Sequence, residues 1–183
     1  MSVLRQIALG AVCCIGWSCV GTRCLICAPP PGTESPTQGD PVAYVDTRGD
    51  TVIPRGEVLY CGADTIRTWG FVILRDEQRK GPHDRCIAID RRGHKLFNAY
   101  WFDNGPDLPQ EGLFRIRDDR GRIGYADTAG RVVIAPRFEA AFPFEHGRAR
   151  VALQAEELTD GEHTRWEADT WLTIDRRGRV VAP

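Results

Sequence analysis

The sequence predicts an all-β protein built as a meander of antiparallel β-hairpin repeats. A turn unit of the form Asp-x-x-Gly recurs along the chain, with its aspartates at positions 46, 90, 127 and 175, and a short apolar run follows most of these units. The six residues that start at Gly112 return in similar form at Gly147, a step of 35 residues. Self-similarity at a period of a few tens of residues indicates a repeat architecture.

Each Asp-x-x-Gly unit predicts a tight hairpin turn, because the aspartate accepts a hydrogen bond from a backbone N–H two residues on and the glycine takes a left-handed conformation. Asp118-Asp119 is assigned to turn chemistry as well. Between the turns, apolar and polar residues alternate as in half-buried strands. We predict strands at residues 42–45, 57–61, 65–74, 86–89, 99–102, 113–117, 148–153, 170–174 and 179–182.

Three segments do not alternate and are predicted to connect the strands. Residues 75–85 form a charged insertion that we interpret as a solvated hairpin loop. Residues 103–112 are rich in Gly and Pro and are interpreted as a loop, in which Asp103 to Asp107 is a turn. Residues 154–168 are expected to be a loop or one short helix.

Residues 112–147 carry the order G-L-x-x-I, a turn, x-G-Y-x-D-x-x-G-R-V-V-I-x-P, an aromatic-rich return and a final Gly. This order resembles the bacterial WG-repeat (KWG) family, although Ile123-Gly124 stands where that family usually shows Trp-Gly. Trp69-Gly70 aligns better with the position of Gly112. The resemblance extends over roughly residues 42–183. It implies about four imperfect β repeats and provides no catalytic residues.

The N-terminus predicts export. Arg5 precedes an uncharged, largely apolar run at residues 7–22, which is typical of a secretory signal, and residues 1–28 are assigned to a signal peptide or N-terminal anchor. Three alternatives stay open: lipid attachment at Cys19, cleavage at Ala28, or an uncleaved anchor. The expected location is the periplasm, the cell envelope or the exterior, with membrane attachment through the N-terminus only.

Residues 29–41 contain five prolines and two glycines and predict a disordered linker ahead of a repeat domain at residues 42–183. Of the seven cysteines, only Cys61 and Cys86 lie in the predicted domain. In an exported protein they could form a disulfide. Because each lies in an apolar run, two buried free thiols is the competing interpretation.

The residue inventory predicts no catalytic site. The only serines are Ser2, Ser18 and Ser35, outside the predicted domain, and no phosphate-binding or dinucleotide motif is present. No histidine stands at metal-ligand spacing from a second His or Cys, so neither a metal nor another cofactor is expected. The net charge of −1 argues against nucleic acid as a partner.

Arginines and aromatic residues are the candidate binding residues. Equivalent strands of consecutive repeats place four arginines at positions predicted to face outward: Arg115, Arg117, Arg148 and Arg150. Side-by-side repeats would gather them into a basic patch for an acidic partner; ordinary polar alternation with salt bridges is the alternative. Trp101 and Trp171 are candidates for a stacking platform, although rings that pack between hairpins would serve the core instead.

These observations predict a non-catalytic β-repeat module of the bacterial cell envelope that mediates protein–protein interaction or scaffolding. The alternative is a module that binds a cell-wall or surface glycan through exposed aromatics and arginines.

Overall fold

The computed structural model describes residues 24–75, 85–102, 104–160 and 163–181, without the side chains of residues 159, 160, 163 and 164. These residues form β-strands and turns and no helix, which confirms the predicted fold class. The strands are β1 Leu25–Ala28, β2 Pro41–Val45, β3 Thr51–Tyr60, β4 Thr65–Ile66, β5 Trp69–Leu74, β6 Cys86–Asp90, β7 Lys95–Ala99, β8 Trp101–Phe102, β9 Gly105–Pro106, β10 Leu113–Arg117, β11 Ile123–Asp127, β12 Val132–Phe138, β13 Ala140–Ala141, β14 Arg148–Ala152, β15 Glu156–Asp160, β16 His163–Glu167, β17 Leu172–Asp175 and β18 Val180–Val181.

The strand order reveals four three-stranded units. Ten strands form one sheet in the order β12-β11-β10-β7-β6-β5-β3-β2-β1-β4, and four more form a second sheet in the order β13-β14-β17-β18. The third strand of each unit turns to pair with the first strand of the next: β3 with β5, β7 with β10, and β13, which follows β12, with β14. The units are therefore β1–β3, β5–β7, β10–β12, and β14 with β17 and β18.

The first strand of the first unit lies upstream of the predicted domain boundary at residue 42. β1 pairs with β2 and with β4, and both Cys24 and Leu25 are buried. Leu25 packs in the same core cluster as Val42 and Tyr44. Cleavage at Ala28 would therefore remove a buried strand. The rest of the predicted leader, residues 1–23 with Cys19, lies outside the described residues.

Residues 29–40 connect β1 to β2 and do not form the free linker that the composition predicted. The segment contains no strand, but it is attached to the sheet at both ends. The backbone N–H of Gly39 donates to the carbonyl of Tyr60 at 3.0 Å, and the guanidinium of Arg55 donates to the carbonyl of Pro29 at 2.8 Å. Antiparallel pairing of the flanking strands holds the two ends close, which composition alone does not show.

The segment between β14 and β17 is a two-stranded hairpin rather than a loop or a helix. β15 and β16 pair antiparallel from Glu156 opposite Glu167 to Asp160 opposite His163. These strands could not be predicted from alternating apolar and polar residues. The hairpin forms a sheet of its own, so its strands do not need the apolar face on which that prediction depends.

The Asp-x-x-Gly turns share one geometry. In each, Oδ1 of the aspartate accepts from the backbone N–H groups two and four residues on, at 2.8–3.0 Å. The glycine has a φ between 76° and 87°, which is the left-handed conformation predicted for it. Asp118 forms the same turn between β10 and β11. The five aspartates are Asp46, Asp90, Asp118, Asp127 and Asp175.

These turns predict a loss of stability in acid. Hydrogen bonds from the Arg131 side chain hold the pKa of Asp127 below its ordinary value of 3.8, and the backbone N–H of Arg179 does the same for the pKa of Asp175. Since both folded-state pKa values are lowered, the stabilisation is present above the unfolded value and is lost as pH falls below it. We expect the melting temperature to fall as pH drops below about 3.8.

Thermal unfolding at a series of acidic pH values tests this prediction. The double substitution Asp127→Asn with Asp175→Asn keeps the Oδ1 acceptors and removes both titrations, so its melting temperature should change less with pH than that of the parent. Identical slopes for the two proteins would show that these carboxylates are not the source of the acid sensitivity.

Two buried tyrosines repeat one contact in different units. The hydroxyl of Tyr44 donates to the carbonyl of Ala63 at 2.8 Å, and the hydroxyl of Tyr125 donates to the carbonyl of Phe142 at 2.7 Å. Both tyrosines stand two residues before a turn aspartate and both are fully buried. Each bond fastens the segment that leaves the third strand of its unit.

Removing one of these hydroxyls should have a modest cost. We expect Tyr125→Phe to lower the free energy of unfolding by about 0.5–1.5 kcal/mol, because it leaves the Phe142 carbonyl without this donor. Urea denaturation measures the change. Tyr60→Phe is the matched control, since the Tyr60 hydroxyl donates to an exposed carboxylate, that of Asp64, and water can replace it. A cost for Tyr60→Phe as large as that for Tyr125→Phe would contradict the assignment.

The apolar core lies between successive units. One cluster joins the first two units and contains Leu25, Tyr44, Ile66 and Ile89. The rings of Trp69, Phe71, Phe97 and Phe114 pack with centroids 5.1–6.5 Å apart and join the second unit to the third. A further cluster, with Tyr125, Phe138, Val151 and Ile174, joins the third to the fourth. Both faces of the central strands are consequently covered.

Candidate functional site

The four predicted outward arginines do not form one patch. Arg115 is buried, with 5% of its surface exposed, and Arg117 is half-buried. Arg148 and Arg150 are exposed. The alternation along β10 was predicted correctly, but the face that carries Arg115 packs against the segment after β7 and against the fourth unit, so it does not meet solvent. The predicted basic patch is wrong for Arg115 and is reduced to Arg148 and Arg150.

Arg115 lies in a closed site. Its Nε and Nη2 donate to the two carboxylate oxygens of Asp107 at 2.9 and 2.7 Å, and its Nη1 donates to the Ala141 carbonyl at 3.3 Å. The guanidinium carbon lies 4.1 Å from the ring centroid of Tyr100 and 5.3 Å from that of Phe102. Asp107 is itself buried and also accepts the backbone N–H of Arg115. Asp107 is thus an ion-pair partner, where the sequence predicted only a turn.

Arg150 lies in an open counterpart of this site. Its guanidinium carbon lies 4.5 Å from the ring centroid of Phe142 and 4.4 Å from that of Trp171. The two rings are 5.5 Å apart, and no carboxylate of a described residue lies within ion-pair distance of Arg150. Aromatic rings therefore orient the exposed guanidinium while its hydrogen-bonding edge has no acidic partner in the described chain. We call Arg150, Phe142 and Trp171 the arginine clamp.

A concave surface of about 330 Å³ lies beside the arginine clamp. Residues of β14, of β17 and of the segment between β13 and β14 line it, namely Phe142, Pro143, Glu145, Arg148, Ala149, Arg150 and Thr173. A type I′ turn at His146-Gly147 shapes one side, with positive φ at both residues, and the same turn at Glu111-Gly112 precedes β10. Oε2 of Glu111 accepts the N–H of Gly147 at 2.8 Å and so ties the two turns together.

The predicted tryptophans have different surroundings. Trp101 is half-buried and packs against the cluster of Ile73, Cys86 and Ala99, so its ring is not the predicted open platform. Trp171 belongs to the arginine clamp and also borders a second concave surface of about 670 Å³. Trp166, Glu139, Glu167 and Asp169 are among the residues that line this second surface.

Cys61 and Cys86 are unbonded thiols in the structure, with their sulfur atoms 3.8 Å apart. The two sulfur atoms are therefore in direct contact. Among the described residues, no group of three or more His, Cys, Asp or Glu side chains is placed to hold a metal ion. The described part of the chain also has no helix that is long and apolar enough to cross a membrane.

Sequence reasoning missed the role of Asp107 and the difference between Arg115 and Arg150. The internal step of 35 residues relates these two arginines, so the sequence did indicate that they are equivalent. It carried no signal that a loop would supply a buried carboxylate to one and leave the other open. That difference depends on where residues 105–107 lie relative to β10.

The fold and the repeated turn define a repeat protein of stacked three-stranded antiparallel units. Residues 123–153 match the family model of the WG containing repeat, which supports a WG-repeat protein. The match covers β11 to β14 and overlaps residues 112–147, where the resemblance in sequence was recognised. No curated protein and no solved structure matches the chain.

Proposed function

We propose that this chain is a non-catalytic β-repeat module of the bacterial cell envelope that binds a protein partner through its fourth unit. The observation that carries the proposal is the arginine clamp, an exposed guanidinium that packs against two adjoining aromatic rings at the edge of a concave surface. Arginine and tryptophan are the residues that most often dominate the binding energy of protein interfaces.

The arginine clamp suits this role because its side chains are already ordered. Immobilising a long side chain on binding costs about 0.5–1.5 kcal/mol, and packing against Phe142 and Trp171 reduces that cost for Arg150. Arg148 adds a second exposed positive charge on the same concave surface. We therefore expect the partner to present an acidic surface. The net charge of −1 over the whole chain argues against a nucleic acid as that partner.

Export is the part of the proposal that rests on sequence alone. The apolar run at residues 7–22 supports a signal peptide or an anchor, with lipid attachment at Cys19 as a variant of it. Since β1 begins at Leu25, processing compatible with this fold would occur upstream of that strand.

A glycan ligand is the second candidate, and the second concave surface favours it. Trp166 and Trp171 border this surface together with four carboxylates and Gln154. Aromatic rings flanked by hydrogen-bonding side chains can stack on sugar rings and bind their hydroxyls. Replacement of Trp166 by alanine would weaken glycan binding and leave the arginine clamp intact.

Capture from the bacterium's own envelope extract tests the proposal. The full-length chain is immobilised and compared with Arg150→Glu and with Arg120→Glu, an exposed arginine in the β10–β11 turn. We expect a stoichiometric protein band with the parent and Arg120→Glu, weaker at high salt, and at least a tenfold loss with Arg150→Glu, which corresponds to about 1.4 kcal/mol. Equal capture by all three would reject the arginine clamp; retention only on insoluble wall material would favour the glycan.

A further inference from the structure

We infer that the arginine clamp binds the side-chain carboxylate of an aspartate or glutamate in an acidic peptide segment of the partner. This inference rests on the proposed function and names the chemistry that the site recognises. Its support is internal to the molecule, because the third unit already contains the same site with a carboxylate bound.

Strand pairing establishes that the two arginines are equivalent. Ala99 pairs with Ile116 at the junction between the second and third units, and Ala141 pairs with Val151 at the next junction. Arg115 directly precedes Ile116, and Arg150 directly precedes Val151. Tyr100 directly follows Ala99, and Phe142 directly follows Ala141. An aromatic residue at the equivalent position therefore packs on the equivalent arginine in both units.

The closed site shows how the ligand would bind. The Asp107 carboxylate lies edge-on to the Arg115 fork, with two bonds of 2.7 and 2.9 Å, while aromatic rings flank the guanidinium. Two parallel bonds of this kind select a planar carboxylate and are stronger than neutral hydrogen bonds. Arg150 presents the same fork, with its guanidinium packed against Phe142 and Trp171.

The open site differs from the closed one in accessibility and in what lies beside it. Asp107 reaches Arg115 from the segment after β9, and the Ala141 carbonyl of β13 accepts from the same guanidinium, so the pair is buried. Around Arg150 the corresponding position faces the concave surface. Glu145 lines that surface, but its carboxylate is exposed and lies 3.9 Å from His146 rather than on Arg150. An incoming carboxylate therefore does not have to displace a bound one from the described chain.

The segment that carries Asp107 supplies the probe. The peptide Asn-Gly-Pro-Asp-Leu-Pro-Gln, residues 104–110, is prepared with blocked ends, together with its Asp→Asn and Asp→phosphoserine versions. Each is titrated into the full-length chain while the Nε–H resonances of Arg150 and Arg115 are followed by NMR. A single bidentate contact predicts a Kd on the order of 1 mM for the Asp peptide.

We expect the Asp peptide to shift the Arg150 resonance and the Asn peptide to leave it unchanged. The Arg115 resonance is the internal control and should not move, because its fork is already occupied. Arg150→Lys keeps the charge but loses the planar fork, so it should bind the Asp peptide at least tenfold more weakly, as followed by the backbone N–H resonance of residue 150 in both proteins. Equal shifts with the Asn peptide, or a shift only with phosphoserine, would overturn the inference.

The two levels of the proposal fail in different ways. If Arg150→Glu abolishes capture of an envelope protein but no Asp peptide moves the Arg150 resonance, the binding module stands and carboxylate recognition is wrong. If the Asp peptide binds but capture does not depend on Arg150, the site recognises a carboxylate and the proposed partner surface is wrong.

A separate observation, independent of the binding surface, concerns the two contacting thiols. The geometry points to Cys61 as a site of oxidation by low-molecular-weight disulfides, with Cys86 as the resolving thiol. Cys61 directly follows β3, is half-buried and precedes Gly62, whereas Cys86 begins β6 and is fully buried. A reagent can therefore reach the sulfur of Cys61 more easily than that of Cys86. The buried Cys86 sulfur lies 3.8 Å from it, close enough to attack it afterwards.

The pKa values of the two thiols are shifted in opposite directions, which favours Cys61 as the thiolate that attacks first. The hydrogen bond between the two thiols lowers the pKa of Cys61, and the same contact together with burial raises the pKa of Cys86. The Cys61 thiolate attacks a disulfide RSSR, forms a mixed disulfide and releases one RS⁻. Cys86 then loses its proton and attacks the Cys61 sulfur, so that a second RS⁻ leaves. Two protein thiols are oxidised and one RSSR is reduced to two RSH.

Oxidised glutathione and mass spectrometry of the full-length chain test this assignment. The parent should lose two hydrogens and give a peptide cross-linked between Cys61 and Cys86, and Cys86→Ala should instead retain glutathione on Cys61. Cys27→Ser is the control, since burial raises the pKa of this half-buried thiol to about 11, and it should not change the product. Circular dichroism under reducing conditions checks that each variant is folded.

Two outcomes would overturn the thiol assignment. One is an absence of glutathione on Cys61 in folded Cys86→Ala. The other is a parent chain in which the cross-link joins other cysteines while Cys61 and Cys86 stay reduced.

Discussion

Replacement of Asp107 by alanine is expected to lower the free energy of unfolding by about 3–5 kcal/mol, because it leaves the Arg115 guanidinium buried without its counter-charge. Both side chains are almost inaccessible, at 6% and 5% exposure, so water cannot replace the two lost bonds. The Ala141 carbonyl alone remains as an acceptor for Arg115. Chemical denaturation of the parent and the variant measures the difference.

The control for this prediction is an exposed ion pair of similar length. Arg165 and Glu167 lie 3.0 Å apart with more than half of each side chain exposed, and Glu167→Ala should cost no more than about 1 kcal/mol. A double replacement, Asp107→Leu with Arg115→Met, should recover much of the stability lost in the single variant, because no unpaired charge is then buried. A single variant as stable as the parent would show that the pair does not stabilise the fold.

Gly124→Ala is expected to destabilise the protein by about 3 kcal/mol or more, because a Cβ at this position would overlap the backbone of β12. An added methyl group would lie 2.6 Å from the nitrogen of Pro136 and closer still to the carbonyl oxygen of Ile134. Backbone atoms in a paired strand cannot move aside as a flexible side chain can. The register between β11 and β12 shifts at this residue, and the close approach belongs to that β-bulge.

Gly105→Ala is the matched control for Gly124→Ala. Gly105 also lies in a strand with a φ outside the left-handed region, but no atom lies within 4 Å of the position that a Cβ would occupy. We expect a change of no more than about 0.5 kcal/mol there. Thermal unfolding of both variants is sufficient, since a loss of about 3 kcal/mol should lower the melting temperature by about 6–12 °C in a chain of this size. Equal melting temperatures for the two variants would contradict the steric argument.

The close contact at Gly124 also explains why a large apolar residue is followed by a glycine at this point of the repeat. Ile123 stands where the WG-repeat family usually has tryptophan, and it is fully buried opposite Phe138. A large apolar residue fills the core at this position. Gly124, which follows it, permits the close approach of β12. Of the two positions, the glycine is therefore the more constrained by backbone geometry.

The turns and the strand alternation could be predicted because they depend on residues close together in the chain. The Asp127 turn is complete within five residues, and the hydrogen bonds that hold it involve no distant partner. The alternation of Phe114 and Arg115 likewise follows from the geometry of a single strand. The resemblance to the WG repeat was confirmed for residues 123–153 on the same local pattern.

Arrangement between units could not be predicted in the same way. Leu25 was assigned to the leader because it lies between the apolar run at residues 7–22 and a possible cleavage site at Ala28. It belongs instead to the first strand of the sheet, which pairs with residues about 20 and 40 positions on. Arg115 was assigned to the surface because it alternates with apolar residues along its strand, yet Asp107 and the Ala141 carbonyl of β13 bind its guanidinium and it is buried. Both errors concern which surfaces of the chain meet.

The sequence by itself determined that this chain forms repeated antiparallel hairpins, because each Asp-x-x-Gly turn and each alternating strand is specified within a few residues. Only the tertiary structure decided which arginine is closed and which is open. Arg115 and Arg150 occupy equivalent places in equivalent strands, and they differ because a loop brings Asp107 onto the first, while no described carboxylate reaches the second. Burial and charge pairing depend on how the units stack, and stacking joins residues that are far apart in the chain.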